Sequence, residues 1–193
     1  LFSENHGLYV YHTFIDNGQT FNQIVRYRET NNHAVEPQVI FTGLLGAGIH
    51  DGGRLKFGPD GKLYATVGDA GNSNLAQDPN ALAGKILRLH VTGDIPVDNP
   101  FHSSIWSYGH RNPQGLACQP GTNLLFETEH RPAGWDEVNI IEPGKNDDSP
   151  VAPGGQTGKP GLARPVLTSR HAPAAGRTRA AVAPQPRRRS RAA

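Results

Sequence analysis

Five short motifs between His50 and Asn139 carry residue types able to do chemistry: His50-Asp-Gly-Gly-Arg-Leu55, Val67-Gly-Asp69, Ser107-Tyr-Gly-His-Arg-Asn-Pro-Gln-Gly-Leu116, Glu129-His130 and Asp136-Glu-Val-Asn139. Each sits where a short apolar strand begins or ends, a position from which side chains converge on one pocket. A neutral imidazole suits proton abstraction near pH 7. A carboxylate can orient that imidazole, and a guanidinium can stabilise developing negative charge. The layout is that of an enzyme site rather than of a packing motif.

Strands must position these residues, and the chain repeats itself in strand-sized units. Leu55-Lys-Phe-Gly-Pro-Asp-Gly-Lys-Leu-Tyr-Ala-Thr-Val67 superposes on Leu116-Ala-Cys-Gln-Pro-Gly-Thr-Asn-Leu-Leu-Phe-Glu-Thr128 at a constant offset of 61. Both read as strand, Pro/Gly turn, strand. Gly7-Leu-Tyr-Val-Tyr-His-Thr13 is a half-copy, and a further strand follows each unit at Gln23–Arg28, Lys85–His90 and Glu137–Ile141. Units of roughly 50 to 60 residues, each one small antiparallel sheet, are the signature of β-propeller blades. The expected fold is therefore all-β, a propeller fragment of two blades plus the later part of another.

Composition narrows the rest. With 23 Gly and 16 Pro in 193 residues there is little room for long helices, and no apolar run is long enough to span a membrane. The opening Leu1-Phe-Ser-Glu-Asn-His6 lacks an initiator Met and an apolar leader, so it reads as an internal start. A single cysteine, Cys118, excludes an internal disulfide and reads as a plain core thiol. Residues 1–144 hold 9 basic and 15 acidic side chains, net −6, whereas residues 145–193 hold 10 and 2, net +8. Residues 1–167 are read as the propeller part, and 168–193 as a disordered Arg/Pro/Ala-rich tail. Clustered Arg could bind phosphate, but the acidic body and the lack of interleaved aromatics argue against a nucleic-acid partner.

Taken singly, each candidate has a plainer explanation. Asp69 could end a strand as an Asx cap, and His50 could be a loop histidine. Pro59-Asp-Gly and Asp98-Asn-Pro read as turns. His110 and His130 read as satisfied polar neighbours, Trp106 and Trp135 as rim or core aromatics, and no histidine shows zinc-ligand spacing. It is their joint occurrence and order that carries the functional reading.

That ordered set, together with Ile95-Pro-Val-Asp-Asn-Pro-Phe101, resembles the glucose/sorbosone dehydrogenase family. The resemblance covers roughly residues 1–167 and is strongest over 50–142. It implies about two to three blades of a six-bladed propeller, soluble and exported (periplasmic or secreted). It also implies oxidation of an aldose C1 hydroxyl to the lactone with pyrroloquinoline quinone (PQQ), calcium and a separate electron acceptor. By resemblance His50 is the base, with Gly52-Gly53 leaving room for cofactor or sugar, and Asp69 orients it. Arg111 and Asn112 are similar to the family's quinone contacts. The backbone carbonyls of Arg131 and Pro132 would meet a cofactor-linked calcium, and Glu137 a second, structural one.

Two departures stand out. Arg131 replaces the family's common Gly, and Asp147-Asp-Ser-Pro150 replaces a Tyr-Gly-Trp-Pro continuation. Later family blades, which add a cofactor-contacting Lys and further Arg residues, have no counterpart here, so this pocket is expected to bind quinone poorly. The alternative reading is a non-catalytic propeller module that binds carbohydrate or protein. Retention of His50 with the Arg111-Asn112 pair weighs against it.

Overall fold

Alternating apolar residues punctuated by Gly, Pro, Asn and Asp favour short strands joined by tight turns. A computed structural model describes residues 7–151 and 165–168 and contains three antiparallel sheets. The first runs β1 (Gly7–Asp16), β2 (Gln19–Thr30) and β3 (His33–Leu45) in that spatial order. Asn17 and Gly18, at φ 48° and 78°, turn β1 into β2, and side chains tolerant of that left-handed pair are what a two-residue hairpin needs. β3 has no counterpart in the strands expected from sequence. It lies at the sheet edge and contains Pro37, whose missing N–H is harmless there.

The second sheet is β4 (Leu55–Phe57), β5 (Leu63–Val67), β6 (Lys85–Leu89) and β7 (Ile105–Tyr108). The third is β8 (Pro113–Cys118), β9 (Leu125–Glu129), β10 (Glu137–Ile141) and β11 (Leu167–Thr168). Both are simple meanders of four strands, the form of a propeller blade. The repeated hairpins at an offset of 61 are β4–β5 and β8–β9. The boundary expected between residues 167 and 168 falls inside β11, and the rest of the basic tail lies outside the described residues. No helix among the described residues is long and apolar enough to cross a membrane.

The middle sheet is buried on both faces, as the period-2 pattern of β5 and β6 requires. Leu63, Ala65, Val67, Leu87 and Leu89 pack toward Tyr9, Ile24 and Leu44 of the first sheet. Tyr64 and Ile86 pack toward Leu125 and Ile141 of the third, with Trp106, Leu116 and Cys118 alongside. Each fully buried Leu or Ile of this core contributes about 1.5–3 kcal/mol. On the same face Arg88 stacks 4.8 Å from the Trp106 ring and ties together two turns, bonding Asp60 at 2.9 Å and Asp98 at 2.9 Å. Those turn aspartates are therefore counter-ions as well.

Residues 142–151 run back over β7. Tyr108 N donates to the Lys145 carbonyl at 3.1 Å, and Asp147 N to the Tyr108 carbonyl at 2.8 Å. Gln77 Nε2 donates to Asn146 Oδ1 at 3.0 Å, and Asn146 Nδ2 returns a bond to Gln77 Oε1 at 2.8 Å. Gly109 is needed at this crossing: its φ is 82°, and a Cβ would stand 2.1 Å from Asn146 Oδ1. The loop is thereby laid between the second and third sheets, beside the motifs singled out above.

Candidate active site

His50 lies between β3 and β4, and Asp69 just beyond β5, so one hairpin brings them together. The His50 carbonyl packs against Gly68 so closely that a Cβ there would be 1.8 Å away. His50 Nδ1 is 2.7 Å from Asp69 Oδ1, and their side chains are 16% and 2% exposed. Asp69 is itself held: Oδ1 accepts from Gly71 N at 2.9 Å, and its own N–H donates to the Arg111 carbonyl at 2.8 Å. Behind His50, Asp51 Oδ1 accepts from Asn22 Nδ2 and Ala47 N, both at 2.9 Å, while Tyr11 donates to the Asp51 carbonyl at 2.9 Å. The first sheet thus anchors the histidine loop.

Gly52 and Gly53 work differently from the expectation that they leave room for a ligand. A Cβ on Gly52 would stand 2.7 Å from the Thr66 carbonyl, and one on Gly53 3.2 Å from the Tyr11 ring. Their role is close approach of backbone to β5 and to Tyr11.

His50, Asp69, Arg111, Arg131 and Pro132 line one cleft of about 270 Å³, with Gly71, Ser73, Ser149 and Pro150 completing it. Arg111 enters from the β7–β8 connection, its Nη1 donating to the His130 carbonyl at 3.0 Å and its N–H to Glu129 Oε2 at 2.8 Å. Asn112 does not line the cleft: its Oδ1 accepts from Gln114 Nε2 at 2.9 Å. A larger groove of about 390 Å³ lies along the first sheet, between Tyr9, Arg26 and Pro37. It contains no histidine–carboxylate pair, so the smaller cleft is the better candidate for chemistry.

Under the cleft lies a buried acidic cluster that sequence reading missed. Glu127, Glu129, Glu137, Asp147 and Asp148 are all at most 3% exposed, and Arg131 is 5% exposed among them. Arg131 Nε bonds Glu137 Oε2 at 2.7 Å, and its Nη2 bonds Asp148 Oδ1 at 2.7 Å and the Asp147 carbonyl at 2.6 Å. Glu129 Oε1 is also 2.9 Å from Arg131 Nε, although outside hydrogen-bond geometry. Burial pushes Glu129 up to about 7 and Asp148 to about 6, and holds Glu127 and Asp147 well above the usual carboxylate range. Burial alone would lower the Arg131 guanidinium, but Glu129 and Glu137 raise it.

His110 sits within this cluster, 2.8 Å from Ser107 Oγ and 3.3 Å from Asp147 Oδ2. Complete burial, and then the nearby Arg131 and Lys85 charges, push it well below the ordinary histidine range. His130 is half-exposed and pairs with Asp136 at 3.2 Å.

Calcium, which the family resemblance implies, does not fit at Glu137, one of the residues expected for it. Glu137 Oε2 is already bonded to Arg131, and the Pro132 carbonyl accepts from Trp135 N at 3.4 Å. Among the described residues no group of three or more His, Cys, Asp or Glu side chains is arranged to hold a metal. Arg111 is a cation able to hold an anionic group in the cleft, since its remaining donors have no protein partner among the described residues.

Residues 1–175 match the family described as Glucose / Sorbosone dehydrogenase. The aldose sugar dehydrogenase YliI of Escherichia coli K12 is 46% identical over 114 residues, 56% of this chain and 31% of that protein. The quinoprotein glucose dehydrogenase B of Acinetobacter calcoaceticus is 36% identical over 66% of this chain and 31% of its own length. The PQQ-bound structure of the aldose sugar dehydrogenase from Streptomyces coelicolor superposes with a TM-score of 0.78 at 39% identity, covering 86% of this chain and 50% of that one. The apo-form of the soluble aldose sugar dehydrogenase from E. coli gives a TM-score of 0.79 at 33% identity, over 86% and 54% of the two chains. The chain thus spans about a third of these curated relatives and about half of these solved structures. With its three sheets forming part of a β-propeller, the chain belongs to the glucose/sorbosone dehydrogenase family.

Proposed function

We propose that this chain forms the proton-abstracting wall of a PQQ-dependent aldose dehydrogenase site, in which an aldose C1 hydroxyl is oxidised to the lactone. The observation that carries the reading is the 2.7 Å His50–Asp69 pair in the cleft shared with Arg111. Asp69 accepting from Nδ1 selects the tautomer of the neutral ring whose Nε2 is the free acceptor, the form of imidazole that can take a hydroxyl proton. The second bond from Gly71 N fixes the carboxylate, and the close approach of Gly68 fixes the histidine backbone. Losing its hydroxyl proton makes the sugar C1 a hydride donor, and the quinone, when bound, supplies the acceptor that no side chain provides.

Arg111 is the residue that would hold the quinone, through donors left over from its bond to His130 and through its positive charge. Asn112, outside the cleft with its Oδ1 held by Gln114, would have only its Nδ2 donors to offer. The cleft, at about 270 Å³, falls just under the roughly 300 Å³ lower end of ligand sites, in keeping with one wall of a pocket. Because Glu137 is engaged by Arg131, no step is routed through that ion. Export to the periplasm or secretion, and a separate electron acceptor for the reduced cofactor, belong to the same reading.

The test is aldose-dependent reduction of an artificial dye by the purified chain with added PQQ. Turnover that needs both PQQ and sugar, reached only at PQQ concentrations high enough to load a weakly binding pocket, is the expected result. Calorimetric binding of sugar with no dye reduction would overturn the reading and favour a carbohydrate-binding module.

A further inference from the structure

We propose that Arg131 is a built-in cation for the acidic cavity beneath the cleft, so that this chain holds its third sheet and the 142–151 loop together without a metal ion. Glu129 and Glu137 are directly paired across β9 and β10, and like charges opposite each other on a sheet repel. A positive charge is needed between them. The guanidinium supplies it, with Nε 2.9 Å from Glu129 and 2.7 Å from Glu137.

The same guanidinium also reaches the returning loop: Arg131 Nη2 bonds the Asp148 carboxylate at 2.7 Å and the Asp147 carbonyl at 2.6 Å. The planar fork of a guanidinium satisfies several oxygens at fixed angles, which neither Lys nor a glycine backbone could do. Arg131 itself is unstrained, with φ −106° and ψ 163°, an extended conformation open to any residue. A divalent ion at Glu137 would have to displace the guanidinium from a 2.7 Å bond, and it would find no group of three suitable side chains among the described residues.

The experiment uses the full chain with calcium chloride alone and no quinone, so its outcome is independent of catalytic activity. The wild-type chain should show no saturable heat of binding, and its melting temperature should be the same in EDTA and in millimolar calcium. Arg131→Gly should melt roughly 6–20 °C lower in EDTA, the loss expected for leaving buried charges unpaired in a chain of this size. Millimolar calcium should restore part of that loss, because the vacated cavity is acidic. Arg131→Lys, which keeps the charge without the fork, should lose less than Arg131→Gly and stay indifferent to calcium. It also serves if the glycine variant does not fold.

Stoichiometric calcium binding by the wild type, abolished by Glu137→Gln, would overturn the proposal. So would an Arg131→Gly chain as stable in EDTA as the wild type. A loss that neither calcium nor Arg131→Lys reduces would make Arg131 a packing residue and overturn it equally.

Discussion

His50 and His110 are both held by short hydrogen bonds, yet their surroundings give them opposite work. His50 is partly open, at the lip of a cleft, with Asp69 on one nitrogen. His110 is sealed among Ser107, Glu129 and Asp147. Burial holds the folded His110 well below its ordinary value of 6.5. Its contribution to stability is therefore fully present above about pH 6.5 and is lost as pH falls through the folded value, because unfolding then takes up a proton. Denaturant melts of wild type and His110→Gln between pH 7.5 and 4.5 should show the wild-type advantage shrinking at low pH, by up to about 1.4 kcal/mol per pH unit. Parallel curves would contradict this.

The contact between His50 and Asp69 was legible, since the ends of one hairpin must lie together. The Arg131 cluster was not: Asp147 and Asp148 read only as a departure from a motif, and nothing local shows that their loop turns back over β7. Asn112 illustrates the same limit, because a residue of the right type beside Arg111 spends its amide on Gln114.

At the scale of elements, β5 is the strand on which the site most depends. All five of its residues are buried, its odd positions face the first sheet and its end leads into Asp69. Leu63, with no exposed surface, should cost about 2–5 kcal/mol when changed to Ala, read from the midpoint of denaturant unfolding. A loss under about 1 kcal/mol would mean that the two sheets are less tightly packed than described.

The β4–β5 and β8–β9 hairpins were readable because apolar alternation and Pro/Gly turns recur with fixed spacing. β3 was not, because it is an edge strand: much of it is exposed, it carries Pro37, and it therefore lacks the alternation that burial of one face imposes. The left-handed Asn31-Asn32 pair that starts it was the available signal.

At the scale of the whole molecule, the three sheets stack so that, among the described residues, only the middle one is covered on both sides. The first leaves Ile15 and Val39 exposed at 74% and 53%, and the edge of the third leaves Val166 and Leu167 at 57% and 63%. Apolar surface of this kind favours association, so light scattering behind a sizing column should show the mass rising with protein concentration. A concentration-independent monomer with a sharp melt would contradict that expectation. Propeller class was legible from the repeat, and the two to three of six blades implied by the resemblance agree with the roughly half of its solved relatives that the chain covers.

The central claim is that His50, oriented by Asp69, removes the sugar proton. It is tested most directly by comparing PQQ-supported aldose turnover of the wild type with that of His50→Ala at matched PQQ occupancy. A fall of about 10²–10⁴-fold in kcat is the result expected of a general base, and turnover equal to the wild type would contradict the assignment.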